Sequence, residues 1–398
     1  MEHNFIKNKD IVLFTFQPWD SGIGFNFKEM AFELARYNRV LFVNRVVDRN
    51  SLLRQKKSEL TQAKAKQELT RVEENLWLYN PDIVMESINW ISVNWVYDII
   101  NKINNKRLAT AIKRATKKLG FGEFIFINDN DFYRGLYQKE LLPGCSHYIF
   151  YIRDFLTIQP YFRKHGIRLE EEIIKKSDLV VANSAYLANY ASQWNEKTFD
   201  IEQGCDLKNY LGSDYPMPAD LGPIKRPIIG YCGAVTSMRL DIAVIEHIAQ
   251  TFPEYSIVFV GPVDKIFEKS RLMTFANVHF MGLKKLEEIP AYIAHFNICM
   301  NPQMINPLTV GNYPRKIDEY LVMGKPVVAT ATLAMEMFRD YVFLCKTKED
   351  YVSSINDILS NRRLVSEDEI QRRMNFALTH SWENSIGMLG DAFHRAFG

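Results

Sequence analysis

No stretch of this 398-residue sequence approaches the ~20 consecutive apolar residues that a bilayer-spanning helix needs. The first ten residues, MEHNFIKNKD, are polar, and the apolar run after them is only strand-sized. That pattern leads to the expectation of a cytoplasmic protein without a secretory signal peptide. Paired cysteines are also missing. The five present (Cys145, Cys205, Cys232, Cys299, Cys345) are scattered, with no Cys-x-x-Cys, which suits a reducing compartment and argues against a structural zinc site. His279, His295 and His380 fall at no metal-ligand spacing and read as structural. An excess of charge is lacking too: 49 basic against 47 acidic residues leave a net charge of +2, so a dedicated nucleic-acid binder is not expected. No repeat of solenoid length occurs. What the chain has is 47% hydrophobic and 24% charged residues, enough apolar material for two ordinary cores in a soluble protein.

Strand-like and helix-like stretches alternate along the chain. Ile11–Phe16 is a continuous apolar strand, followed by the loop QPWDSGIGFN, an amphipathic helix over 27–37 and a second strand at Val40–Val43. This is a βαβ unit. Asn26 and Glu29 have capping-box spacing, with Asn in place of the usual Ser or Thr. Gly22 and Gly24 form a G-x-G, but the third Gly and a clear acidic partner of the dinucleotide fingerprint are missing. A plain tight turn is the competing reading. Residues 51–74 are highly charged and read as a helical or mobile insertion. Ile88, Ile91, Trp95 and Ile99 then recur at helical spacing, followed by Lys102, Lys106, Arg107, Lys113, Arg114, Lys117 and Lys118. Aromatic residues followed by a basic run suit docking on an anionic bilayer. The competing reading is a core helix followed by a solvated helix face.

Phe124–Ile127 is a strand whose C-terminal end carries Asn128-Asp129-Asn130-Asp131, and in open α/β sheets that end faces the ligand crevice. His147–Ile152 is another strand, ending in Arg153-Asp154. Asp154 and Asp129 are therefore the candidate catalytic carboxylates, Asp154 as a general base toward a hydroxyl. Pairing of Asp154 with Arg153 would remove that role. Leu207–Arg226 is rich in Gly, Pro, Asp and Ser and reads as a linker. The expected division is a first domain over 1–210, a linker over 211–226, a second domain over 227–380 and a final helix over 381–398. The second domain restarts with a strand at Pro227–Tyr231, then Gly233-Ala234 and a helix from about Leu240, an arrangement that makes an anion site.

The most informative stretch is Asn306–Thr330, NPLTVGNYPRKIDEYLVMGKPVVAT. Pro314 suits the first turn of a helix, with Asn312 or Tyr313 before it as a cap, and Gly324 and Pro326 stop the helix. Ile317, Tyr320 and Leu321 mark a core-facing side. Lys316 and Glu319 share another side. Lys316 would add positive charge beside the helix start, where a phosphate is favoured. Glu319 lies one turn further along, where a carboxylate could accept from the two hydroxyls of a ribose. The competing reading of this pair is an ordinary surface ion pair.

This segment resembles the donor-nucleotide segment of group 1 glycosyltransferases of the GT-B fold. It follows the pattern of their bacterial polysaccharide branch, P-x-K-x-x-E-Y-L-x-x-G-K-P-V-V, residue for residue over Pro314–Val328. Weaker likenesses run through Asp178–Ser184, Glu202–Asp206, Gly261-Pro262, Val278–Gly282 and Ser381-Trp382-Glu383. The resemblance implies an α/β chain of two Rossmann-like doubly wound domains facing across a cleft, with the C-terminal helix crossing back to the first. It implies that Glu319 binds the ribose of a sugar nucleotide, and that Gly233, Arg239 and Lys316 lie at the diphosphate. It further places Met281, Thr309, Asn312 and the Gly22–Gly24 loop around the donor. The implied activity is transfer of a sugar from a nucleotide diphosphate sugar, UDP or GDP type, without metal, to a hydroxyl of a glycan or lipid-linked glycan in surface-polysaccharide biosynthesis. A lipid-linked acceptor would bring the enzyme to the inner membrane face. Two departures stand out. Gly311 occupies the position where many members carry a glutamate that contacts the donor sugar, and no histidine follows the Phe124–Ile127 strand. They keep two alternatives open: a sugar-nucleotide epimerase of the same fold, and a non-catalytic partner protein.

Overall fold

The structure, a computed structural model, describes residues 3–20, 26–54, 68–212, 214–307, 309–311 and 313–398. The chain divides into two compact units, Met1–Gly204 with Trp382–Gly398, and Cys205–Ser381.

The first unit is built on eight strands: β1 (Asp10–Thr15), β2 (Arg39–Val43), β4 (Leu69–Glu73), β5 (Leu76–Tyr79), β7 (Phe124–Asp129), β8 (Cys145–Ile152), β9 (Leu179–Ala182) and β10 (Thr198–Asp200). Their order in the sheet is β10-β9-β8-β7-β1-β2-β5-β4. All pairs are parallel except β4 with β5. β3 (Val47–Asp48) and β6 (Val84–Met85) form a separate two-stranded piece. Val12, Leu13, Ile127, Ile149 and Val181 are all fully buried. Such near-continuous apolar runs mark strands covered on both faces. The order in which strands are laid down reverses between β1 and β7, which is where a parallel sheet opens a crevice at its C-terminal edge.

The last helix, Trp382–Phe397, packs into this unit. The Trp382 indole N–H donates to Glu29 at 2.7 Å, and the His3 ring is 2.7 Å from Asp391 and 2.9 Å from Asn384. A Cβ at Gly390 would collide with the Asn4 carbonyl, so the glycine allows the N-terminal strand entry to lie directly on this helix.

The charged stretch 51–74 differs from its expected form. A short helix, Arg49–Arg54, opens it and β4 closes it; residues 55–67 lie outside the described residues. β4 is an edge strand whose outward side chains are charged, which masks its alternation in the sequence. The basic segment differs as well. One helix spans Asn94–Lys118, and Ile88 and Ile91 precede it. Its buried side is carried by Tyr97, Asn101, Asn104, Leu108, Ala111, Ile112 and Ala115. Trp95 and Ile99, expected to face a core in one of the two readings, are 67% and 54% exposed.

The second unit holds a six-stranded, all-parallel sheet of β11 (Ile228–Cys232), β12 (Ser256–Val260), β13 (Val278–Phe280), β14 (Ile298–Asn301), β15 (Val327–Thr330) and β16 (Phe343–Cys345), in the order β13-β12-β11-β14-β15-β16. Helix Ile242–Thr251 starts where the Asp241 carboxylate accepts from the N–H groups of Ala243 and Val244. Residues 211–226, expected as a linker, belong to this unit. Leu221 is buried in its core, and Asp220 accepts from the Tyr292 hydroxyl at 2.7 Å and pairs with Lys284 at 2.6 Å. One buried leucine among Gly, Pro and Asp leaves no periodic trace in the sequence.

Candidate functional site

At the C-terminal edge of the second sheet, glycines clear a surface. Gly233 ends β11 with φ +139°, Gly261 ends β12 with φ +146°, and Gly282 follows β13 with φ +70°. These values lie where side-chain-bearing residues are strained. The turns also touch: the Gly261 N–H donates to the Gly282 carbonyl at 2.8 Å, and a Cβ on Gly261 would overlap the Gly233 carbonyl.

Helix Lys316–Val322 docks against this edge. Ile317, Tyr320 and Leu321 are fully buried, the face expected from their spacing. The Cys232 N–H donates to the Tyr320 hydroxyl at 2.8 Å, tying the helix to the end of β11. Gly324, at φ +70°, closes the helix: its N–H donates to the Leu321 carbonyl at 2.9 Å and the Lys325 N–H to the Tyr320 carbonyl at 3.0 Å. On its other buried side, Asp318 accepts from the Tyr313 hydroxyl at 2.7 Å and lies 2.6 Å from His380 Nδ1. His380 is thus structural, as expected, and anchors the helix.

Lys316 and Glu319 emerge on the remaining side. The Lys316 ammonium lies 4.8 Å from the centre of the Tyr231 ring, and its Cε would be 3.2 Å from a Cβ on Gly233. Among the described residues the ammonium has no hydrogen bond or ion pair. A cation is thus held beside the glycine turn with its charge unspent. One turn further on, the Glu319 side chain is 17% exposed. The Tyr210 hydroxyl lies beside it and favours its charged form, and Arg315 Nε lies 3.5 Å away. Burial pushes the Glu319 carboxyl above the usual carboxylate range, and the charges of Arg315 and Lys316 pull it partway back.

The other expected donor-side residues fall as follows. The half-buried guanidinium of Arg239 has no hydrogen-bond or ion-pair partner among the described residues, while its carbonyl accepts from the Met304 N–H at 2.9 Å. Met281 is half-buried beside the Gly261–Gly282 turn pair. Thr309 is fully buried, and its hydroxyl donates to the Asn306 carbonyl at 3.2 Å and to the Met304 carbonyl. That hydroxyl braces its own loop and does not face solvent. Asn312, Gly22 and Gly24 lie outside the described residues. Tyr210, Tyr231 and Arg315 also belong to this site and carry no motif of their own in the sequence. Only Arg315 had a local signal, its i, i+4 spacing to Glu319.

In the first unit the two expected catalytic carboxylates have different surroundings. Asp129 is fully buried: it accepts from Arg153 at 2.5 and 2.7 Å and from the Thr15 hydroxyl at 2.7 Å. No substrate reaches a carboxylate in that position, so the catalytic expectation for Asp129 is corrected; its charge is consumed by folding. Burial opposes the charge on Arg153, but Asp129 beside it holds the guanidinium protonated. Adjacency in the sequence makes Arg153 the expected partner of Asp154. Instead, Asp154 is half-exposed at the end of β8, and its carboxylate has no hydrogen bond or ion pair among the described residues. Asp131, two residues after Asp129, accepts from the N–H groups of Tyr133 and Arg134. Among the described residues no three His, Cys, Asp or Glu side chains gather as metal ligands.

Residues 226–361 match the family described as "Glycosyl transferases group 1". TuaH of Bacillus subtilis, a protein named as a glycosyltransferase of teichuronic acid biosynthesis, is 25% identical over 235 residues, which cover 56% of this chain and 58% of that protein. Sucrose-phosphate synthase from Thermosynechococcus elongatus superposes with a TM-score of 0.68 at 16% identity over 98% of this chain and 99% of that one. The Anabaena protein HepE in complex with UDP-glucose gives 0.62 at 15% identity, over 97% and 100%. No helix among the described residues is long and apolar enough to cross a membrane. The chain therefore has the GT-B fold, and within its second unit residues 226–361 are similar to the group 1 glycosyltransferases.

Proposed function

We propose that this protein transfers a sugar from a nucleotide diphosphate sugar to a hydroxyl of a glycan or lipid-linked glycan in surface-polysaccharide biosynthesis. The observation that carries the reading is the placement of Lys316 beside the Gly233 turn with Glu319 one turn along the same helix. The turn lets a diphosphate approach the backbone, and the Lys316 and Arg239 side chains have no hydrogen bond or ion pair among the described residues. Stabilising the leaving diphosphate is the main electrostatic demand of the transfer, and these groups meet it without metal. Glu319, flanked by Tyr210 and Arg315, accepts from the ribose hydroxyls. The complex of HepE with UDP-glucose supports a uridine nucleotide donor. The relation to TuaH supports a surface polysaccharide as product. Asp154 is the candidate general base, since Arg153 is committed elsewhere.

The exposed side of helix Asn94–Lys118 supports peripheral contact with an anionic membrane, where a lipid-linked acceptor would reside. Trp95, Ile99 and Ile103 are 67%, 54% and 46% exposed, and Lys102, Lys106, Lys113 and Lys117 fall on the same side by helical spacing.

The deciding experiment is a thermal-shift screen with UDP, GDP, ADP, dTDP and their sugar conjugates, with and without Mg²⁺. A ligand that binds only the folded state raises the melting temperature. One nucleotide is expected to shift it equally with and without metal. No shift with any of them would overturn the reading in favour of a non-catalytic partner. Conversion of the donor sugar without acceptor would identify an epimerase instead.

A further inference from the structure

Each of the three strands that run into the glycine turns of the second unit has an aromatic residue two positions before its glycine. Tyr231 precedes Gly233, Phe259 precedes Gly261 and Phe280 precedes Gly282. The sheet register sets these residues side by side, Tyr231 opposite Phe259 and Phe259 opposite Phe280. Ring centres lie 6.0 Å apart in the first pair and 5.2 Å apart in the second, which is stacked. A row of rings thus runs beneath the three turns.

This row lies on the opposite face of the sheet from helix Lys316–Val322. Successive residues of a strand point to opposite faces. Cys232 packs in the core that holds Ile317 and Tyr320 of the helix, whereas Tyr231 packs with Phe259 in the other core. Lys316 still reaches the ring of Tyr231, with its ammonium 4.8 Å from the ring centre. Its side chain therefore crosses the end of β11. It crosses at Gly233, where a Cβ would come within 3.2 Å of Lys316 Cε and 3.1 Å of the Tyr231 hydroxyl. A lysine side chain has many rotamers open to it in water. The negative face of an aromatic ring favours the one that sets the ammonium upon it. The ring is itself fixed: Tyr231 is 1% exposed, and its hydroxyl donates to the Ala234 carbonyl at 3.2 Å, across the same turn.

We propose that Tyr231 is a positioning residue for the donor diphosphate: its ring draws Lys316 across the end of β11 and holds the ammonium at the Gly233 turn. The placement of Lys316 stands on this geometry alone. The diphosphate as its target rests on the transferase reading above.

The test replaces Tyr231 in the full chain in three ways. Tyr231→Phe keeps the ring, para-cyanophenylalanine keeps the ring but withdraws negative charge from its face, and Tyr231→Leu removes it. Titrations with UDP against UMP, and GDP against GMP, read the affinity. Diphosphate affinity is expected to stay within about twofold in Tyr231→Phe, and to fall about threefold with para-cyanophenylalanine and about fivefold in Tyr231→Leu, the scale of a partly exposed cation–π contact. Monophosphate affinity should change less. In a Lys316→Met background the same replacements should cost nothing further. Equal affinity with Phe and para-cyanophenylalanine, or an undiminished loss in the Lys316→Met background, would show that the ring only packs and would overturn the proposal. Circular dichroism melting verifies the folds. Should Tyr231→Leu fail to fold, the comparison of Phe with para-cyanophenylalanine decides, since both keep the packed ring.

A second readout needs no nucleotide. Lysines dimethylated with isotope-labelled methyl groups stay charged, and the Lys316 signal is identified by its absence in Lys316→Arg. Its NMR resonance is expected upfield of the other lysines because of the ring below it. An unshifted resonance would overturn the placement. A shifted resonance with no nucleotide bound at all would overturn the diphosphate role together with the transferase reading, and would leave Lys316 on the ring.

Discussion

Arg153 spans both carboxylate oxygens of Asp129, at 2.5 and 2.7 Å, and so leaves the carboxylate of its chain neighbour Asp154 unpaired among the described residues. The two aspartates, equivalent as strand-end carboxylates in the sequence, therefore answer differently to substitution. Removing one member of a buried pair strands the other charge, so Asp129→Ala or Arg153→Ala should cost roughly 3–5 kcal/mol in denaturant unfolding. Asp154→Asn should leave stability within about 0.5 kcal/mol, as surface changes do. If Asp154 is the base, the same variant should lower the transfer rate by about 10²–10⁴-fold with unchanged nucleotide affinity. Full activity in Asp154→Asn would remove it from the chemistry.

Glu319 and Tyr210 form a second pair with separable effects. Glu319→Ala should weaken nucleotide binding by roughly 1.5–3 kcal/mol, the worth of hydrogen bonds to a charged group. Tyr210→Phe leaves the carboxylate in place but its charged form less favoured, and a smaller loss of about 1 kcal/mol is expected. Isothermal titration with the nucleotide found in the thermal-shift screen measures both. An equal loss in the two variants would mean that Tyr210 touches the ligand itself.

A third prediction concerns pH. Glu170 is buried, and burial raises its carboxyl to about 7 even though the Tyr190 hydroxyl donates to it at 2.8 Å and the Thr157 hydroxyl at 3.3 Å. A raised folded-state pKa means that the folded protein holds this proton more tightly than the unfolded chain does. The associated stability is fully present below the ordinary glutamate range and is lost as pH rises through about 7. Glu170→Gln should flatten the pH dependence of unfolding between weakly acid and neutral solution by up to about 3 kcal/mol. Parallel profiles for the two proteins would show that Glu170 titrates normally.

The exposed apolar side of helix Asn94–Lys118 provides a fourth. Trp95→Glu with Ile99→Glu should abolish flotation with vesicles of phosphatidylcholine and phosphatidylglycerol at low salt, and should leave the melting temperature unchanged because neither side chain packs in the core. Raising the salt should weaken wild-type binding by screening the lysines. Absence of wild-type flotation at low salt would end the membrane reading.

Much of the architecture was legible because it is written locally. An apolar run such as Ile149–Ile152 can only be a strand covered on both faces, and Ile317, Tyr320 and Leu321 can share only one side of a helix. Gly324 as a helix stop follows from its freedom at positive φ. By itself, then, the sequence determined which elements form, which side of the Lys316–Val322 helix is buried, and that Lys316 and Glu319 emerge together on another side. The tertiary structure alone decided what sits opposite each polar group: Arg153 turned to Asp129 and away from Asp154, Tyr210 reached Glu319 from a distant segment, and Thr309 turned its hydroxyl into its own loop. It also decided that nothing in the first unit's core covers Trp95 and Ile99. Periodicity records which way a side chain points, whereas its charge state, its partner and its exposure depend on which remote residue occupies the space it points into.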